Sequence, residues 1–174
     1  MPLGESASLS ASVSFSKLFT YFASNSAEHL PLSELERSDG HVHGHLEVRI
    51  GGRELPHMGF FGPHDVCFNT WIEELAEVVR QLTASESAIY VFDEGEQGQP
   101  AFEFRRRGDM LFVSVVESLL SGASADLKFQ SVSCSWFDFH VEVQRFFTEF
   151  QQALLIAAPV SGEAWWERHG RRVA

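Results

Sequence analysis

Polar and apolar positions alternate most clearly between Ser87 and Ser118, in the stretch SAIYVFDEGEQGQPAFEFRRRGDMLFVSVVES. Three runs rich in β-branched and aromatic residues, 88–92, 101–106 and 110–116, are separated by an acidic Gly/Pro loop at 93–100 and a Gly108-Asp109 reversal. Such runs on short connectors predict an antiparallel meander. In its second strand Phe102 and Phe104 fall on one face, Glu103 and Arg105 on the other. A second alternation covers 41–55, with Val42, Leu46, Val48 and Ile50 set against polar neighbours. Gly51-Gly52 supplies the positive φ angles of a two-residue hairpin turn there. A further strand is predicted over 127–136, with Val132, Cys134 and Trp136 facing in and Ser131, Ser133 and Ser135 facing out.

The period lengthens to that of a helix at 70–84, where Trp71, Leu75, Val78, Val79 and Leu82 make one apolar stripe. Thr70 and Glu73 have the spacing of a capping box that starts this helix. Glu73 and Glu77 stack on its other side. A last helix is predicted from Asp138 as N-cap through Ala158, carried by Phe139, Val143, Phe146, Phe150, Leu154 and Ala157 and stopped by Pro159. At 13–23, Phe15, Leu18, Phe19 and Phe22 follow helical spacing, while Val13 and Phe15 also fit a strand; the reading adopted is an additional N-terminal helix. Residues 25–40, with Pro31 and Asp39-Gly40 as breakers, read as loop, as do 56–63, with Phe60 and Phe61 tucked under a neighbouring element.

Strands and helices that are grouped rather than alternating predict an α+β fold. It would be a mainly antiparallel sheet of about five to six strands, centred on the meander and covered by two main helices. The expected organisation is a flexible Ser/Ala-rich arm at 1–12, a single domain at 13–158 and a tail at 159–174. The tail carries Trp165, Trp166, Arg168, Arg171 and Arg172 and is expected to fold back on an acidic body.

Composition narrows the function more by exclusion than by assignment. With 174 residues, 44% of them hydrophobic and 16 of them Phe, the chain can bury a core that needs no disulfide. Cys67 and Cys134 have no metal or redox spacing and read as packed free thiols. The balance of 13 Lys+Arg against 24 Asp+Glu, net −11, disfavours nucleic acid and anionic membrane and suits a basic protein partner. Protonation of the 8 His residues in mild acid would make the charge less negative. No apolar run has the length of a membrane span, the N-terminus lacks a basic leader, and the expected location is the cytoplasm.

Few residues suggest chemistry. His41, His43 and His45, two apart on a strand, would share a face and could converge on one metal, with Gly44 allowing close approach. A metal-dependent hydrolase built on them is the enzymatic alternative; otherwise no catalytic residue and no cofactor is expected. His57 and His64 could join only through the fold. His64 and Cys67 have the types of a base and a nucleophile, but the surroundings of Cys67 read as packing. Neither a nucleophile-elbow serine nor a phosphate-binding glycine pattern occurs. Asp93, Glu94 and Glu96 cluster on the loop of the meander, and with Glu73 and Glu77 they are the candidate contacts for a cationic protein partner.

The segments FDEGEQGQPAFEF (92–104) and the closing strand–helix at 132–154 resemble parts of the small, acidic, single-domain α+β immunity proteins that bacteria keep beside polymorphic toxins. The resemblance is one of class and carries no family-defining residues. It implies a non-enzymatic protein that neutralises a cognate toxin by occluding it. An accessory homodimer pairing exposed sheet edges is the third reading.

Overall fold

The structure is a computed structural model and describes residues 9–23, 25–59, 62–95 and 98–173. The chain order is β1 (Ala11–Phe22), β2 (Asn25–Leu30), a 3-10 turn (Leu32–Arg37), β3 (Ser38–Ile50), β4 (Arg53–Glu54), β5 (Val66–Cys67) and α1 (Phe68–Thr83). It continues with β6 (Ser87–Phe92), β7 (Ala101–Arg107), β8 (Met110–Val116), β9 (Val132–Ser135), α2 (Trp136–Ala157), α3 (Pro159–His169) and a closing 3-10 turn (Arg171–Val173). The class is α+β, as the grouping of elements predicts. The strands form two antiparallel sheets rather than one: β2-β1-β3-β4 with β5 also paired to β3, and β6-β7-β8-β9.

The meander is β6-β7-β8 in the predicted register, Phe102 opposite Phe92 and Val115, Phe104 opposite Tyr90 and Val113. Its inner face meets α1 and α2, with Trp71 edge-on to Phe92 at 4.9 Å and Phe104 beside Phe139 at 6.1 Å. The predicted hairpin at Gly51-Gly52 forms, both glycines with positive φ (56° and 78°), between β3 and the two-residue β4. The inner face of the first sheet is closed by the same helices: the Phe15 ring lies 5.8 Å from Phe146 and 5.4 Å from Phe150, both on α2, and 6.4 Å from Phe68 on α1. One continuous aromatic and aliphatic core thus serves both sheets.

The N-terminal helix is not there. Residues 11–22 are a strand paired with β3 from Ala11↔Ile50 to Phe22↔Ser38. The helix-like spacing has a local cause. Lys17 takes a positive φ of 53°, and the register slips between Ser16 and Phe19, a bulge that resets the alternation of the strand. Phe15 and Leu18, an odd and an even position, therefore both pack on the core. Opposite the bulge the strands come so close that a β-carbon on Gly44 would lie 2.9 Å from the Ser16 carbonyl oxygen and 3.0 Å from Leu18 Cδ2.

Other boundaries move for similarly local reasons. Residues 25–30 and 32–37 are strand and 3-10 turn rather than loop, because β2 completes the sheet edge against β1 and Leu32 and Leu35 are buried beneath it. The helix α1 starts at Phe68, directly out of β5 with Cys67 as N-cap, so Thr70 lies inside the first turn and the capping box does not form. The strand before α2 shrinks to Val132–Ser135, and its last residue is the cap: Ser135 Oγ accepts from the Asp138 amide at 3.2 Å. Asp138 sits in the first turn instead, favourably placed at the positive end of the helix. Pro159 both ends α2 and occupies the first position of α3, where its missing N–H costs nothing. The tail is thus a third helix with Trp165 buried against Phe150. Part of the expected arm is also tied in: the Leu9 carbonyl accepts from the Ser135 amide and that of Ser10 from Gly51, while 1–8 and the aromatic pair Phe60 and Phe61 lie outside the described residues.

Two outcomes follow from this packing. Gly44→Ala forces the β1 backbone at the bulge to shift and is expected to destabilise the fold by about 1–3 kcal/mol in urea unfolding. Burial, helped by Asp138, pushes the Cys134 thiol from 9.0 up to about 12. A proton kept in the folded state stabilises it fully below the unfolded value and progressively less as pH climbs towards the folded one. Stability is therefore expected to fall between about pH 9.0 and about 12, and more steeply in the wild type than in Cys134→Ala. Tyr21 and Tyr90, raised by burial from 10.0, act in the same direction.

Candidate functional site

The outer face of the first sheet collects most of the polar chemistry in the chain. Val42, Leu46, Val48 and Ile50 take the inner side of β3, so His41, His43 and His45 turn outward together, as their spacing predicts. The bulge in β1 brings Phe19 opposite His43 on this side, with their rings stacked at 5.8 Å. Phe19 also stacks on His29 of β2 at 4.0 Å, and Tyr21 meets His43 at 4.8 Å. β5 completes the face, with Cys67 opposite His43.

The three histidines do not converge on one point. His45 Nδ1 lies 3.0 Å from His64 Nδ1, the two rings stacked at 4.6 Å, and makes a pair of its own. In its place Cys67 joins the other two: the ligand atoms of His41, His43 and Cys67 all lie within 4.8 Å of one another. Cys67 Sγ is 3.9 Å from His41 Nδ1, so its imidazole neighbour is His41 and not His64. His57 is elsewhere, with its Nε2 2.8 Å from Asp126 Oδ2. A hydrolase centred on His41, His43 and His45 therefore lacks its third ligand.

Asp65, which the sequence does not single out, organises this face. Its Oδ1 meets His43 Nδ1 at 2.8 Å and its Oδ2 accepts from Tyr21 Oη at 2.9 Å. Burial lowers the His43 pKa against the opposing pull of Asp65, and burial together with Asp65 raises that of Tyr21. The neutral imidazole thus donates from Nδ1 and leaves its Nε2 lone pair uncommitted by this bond. Burial likewise pushes the Cys67 thiol up, opposed by the Asn69 and Thr70 amides at the start of α1, with a further small rise from Glu94.

Beside this cluster Asn69 ties three elements together. Its Oδ1 accepts from the Val42 amide at 2.9 Å, and its Nδ2 donates to the Gly40 carbonyl at 3.1 Å and approaches His169 Nε2 at 3.2 Å. The same Gly40 carbonyl accepts from Trp165 Nε1 at 3.1 Å, and His169 Nδ1 donates to Glu73 Oε1 at 2.7 Å. Glu73 is therefore engaged with α3. Glu77 is engaged within α1, accepting from Arg80 Nε at 2.9 Å and from Gln81 Nε2 at 2.7 Å.

The acidic loop is built differently. Asp93 Oδ1 accepts from Ser118 Oγ at 2.7 Å, and its Oδ2 accepts from the Leu119 and Leu120 amides at 2.9 and 3.4 Å. Asp93 thus folds the turn after β8 onto the loop before β7, and its partners are neutral donors that leave the charge in place. Glu94 lies near the start of α1, close enough to act on Cys67. Glu96 lies outside the described residues.

Sequence spacing could have flagged Phe19 and Tyr21 only if the bulge had been recognised. Nothing local marks Asp65, Asn69 or His169, whose partners are 22, 27 and 96 residues away. Asn69→Ala leaves the Val42 amide without its partner and is expected to cost about 1–3 kcal/mol in denaturant unfolding. Searches against protein-family models, characterised proteins and solved structures each returned no significant match.

Proposed function

We propose that this chain is a non-enzymatic protein-binding module of the immunity type, which neutralises a toxin with a basic surface by occluding it. The observation that carries this reading is the turn after β8. Leu119 is 92% exposed and Leu120 71% exposed. Yet the backbone beneath them is tightly held. Besides the three bonds from Asp93, Ser118 Oγ accepts from the Ser121 amide, Ser121 Oγ donates to the Gln99 carbonyl, and the Ser118 amide donates to the Ala123 carbonyl. A β-carbon on Gly95 would collide with that of Leu120, so the acidic loop backs directly onto the leucine turn.

Two large aliphatic side chains held out in solvent on a fixed backbone form a preorganised anchor, because little backbone entropy remains to be lost when a partner covers them. Interfaces commonly pair such an apolar centre with a charged rim. The Asp93 carboxylate and the net charge of −11 make a cationic surface the complementary one and speed its approach. Asp93, Glu94 and Glu96 stay in the proposed contact. Glu73 and Glu77, turned to internal partners, drop out of it.

The test is co-expression with the product of the adjacent reading frame, which this reading expects to be a toxin. Growth is expected to be restored by the wild type, with a stable complex on gel filtration. Leu119→Asp with Leu120→Asp should weaken that complex by about 2 kcal/mol or more. Glu94→Gln should slow association and reduce its salt dependence while leaving dissociation unchanged. Asp93→Asn is the poorer probe of charge, since it also loosens the turn. Equal affinity of the double aspartate variant and the wild type would overturn the role of this surface.

A further inference from the structure

The cluster where β3 meets β5 has a chemistry that partner binding does not use. His41 and His43 share the outer face of β3, Cys67 lies across from His43 on β5, and the ligand atoms of all three fall within 4.8 Å of one another. We propose that His41, His43 and Cys67 form a binding site for a borderline d-block dication of the zinc class, held by two imidazole nitrogens and one thiolate with a fourth position open.

The distances suit such an ion. Metal–nitrogen bonds of about 2.0–2.1 Å and metal–sulfur bonds of about 2.3 Å place the donors of a tetrahedral site roughly 3.3–3.7 Å apart. Cys67 Sγ and His41 Nδ1 are already at 3.9 Å. Closing the widest separation from 4.8 Å takes about 1.1–1.5 Å, within reach of side-chain rotations, and the exposed His41 side chain is free of core packing that would oppose them.

The surroundings support the donors individually. Asp65 accepts from His43 Nδ1, which fixes the ring and its tautomer and presents Nε2 as the ligand; carboxylates commonly brace metal-bound imidazoles in this way. Tyr21 steadies the other carboxylate oxygen. The His41 backbone is held on both sides, its amide by Asp39 Oδ1 at 2.9 Å and its carbonyl by Thr20 Oγ1 at 2.5 Å. Cys67 is the N-cap of α1, with the Thr70 and Asn69 amides directed at its sulfur; burial outweighs them and raises the free thiol, so the dication itself displaces the proton when it binds. A mixed nitrogen–sulfur set discriminates against magnesium and calcium, which take oxygen ligands.

Coordination would also do something for the fold. β5 is only two residues long, and an ion shared between Cys67 and β3 would pin both it and the start of α1 to the first sheet. Because the three ligands are gathered only in the folded chain, the ion stabilises that state by mass action.

The experiment uses the full chain without a histidine tag, stripped with chelator, kept reduced and titrated with Co²⁺ and then Zn²⁺. The expected result is one equivalent of Co²⁺ bound with a sulfur-to-cobalt charge-transfer band and the intense visible bands of a four-coordinate ion, both bleached by Zn²⁺, and a rise in Tm. Cys134→Ala should keep the band; Cys67→Ser should abolish it. His41→Gln and His43→Gln should each weaken binding, and Asp65→Asn should weaken it about 10–100-fold while keeping the charge-transfer spectrum, as befits a positioning residue. The proposal is overturned by a folded wild type without the band, by a band that survives Cys67→Ser, or by binding that needs His45 and His64 but not His41. Should Cys67→Ser fail to fold, the wild-type and Cys134→Ala spectra decide, since these are the two thiols of the chain.

Discussion

The long pairing of β1 with β3 is the constraint on which the rest of the molecule depends. β3 is hydrogen-bonded to β1, β4 and β5, so three of the four other strands of its sheet are placed by it directly. Its inner side chains meet the helices, and its outer side chains are the histidines. The bulge opposite Gly44 sets both faces at once: it lets Phe15 and Leu18 face the core from one side of the slip and turns Phe19 and Tyr21 onto the histidine face. A glycine at 44 is the local condition for that arrangement, since the backbone of β1 occupies the space a side chain would need.

Two helices then bind two sheets into one core. α1 carries Phe68 to the first sheet and Trp71 to the second, and α2 does the same with Phe150 and Phe139. Buried aromatic area of this kind is the main favourable contribution to the stability of such a fold, and its ring pairs add geometric specificity to it. The third helix closes the edge through Trp165 and His169, whose polar atoms reach the Gly40 carbonyl and Glu73. No helix among the described residues is long and apolar enough to cross a membrane.

The two surfaces singled out differ in how they are made. The leucine turn is ordered by short-range hydrogen bonds within one corner of the second sheet, around Asp93 and Ser118. The histidine face is ordered by strand register and by a carboxylate from the connection before β5. They approach each other at the start of α1, where Glu94 acts on Cys67. An ion bound near Cys67 would therefore sit close to the proposed partner surface, so metal content and partner affinity are worth measuring on the same preparation.

Local signals along the chain suffice for several elements: the β6-β7-β8 meander with its inward Phe102 and Phe104, the Gly51-Gly52 hairpin, the stripes of α1 and α2, and the shared face of His41, His43 and His45. Each rests on a period or a turn residue that neighbours in the chain suffice to express. Tertiary structure decided what depends on distant partners. Residues 13–22 are a strand because β3 offers them a ladder, and their helix-like spacing is the trace of a bulge. The acidic residues were legible as charge but not as function: Asp93 proved to be the clasp of a turn, Glu73 the partner of a histidine 96 residues on. Likewise the spacing of three histidines placed them on one face, but only the pairing of β5 with β3 could replace His45 by Cys67 beside the other two, because strand register sets which side chains become neighbours across a sheet.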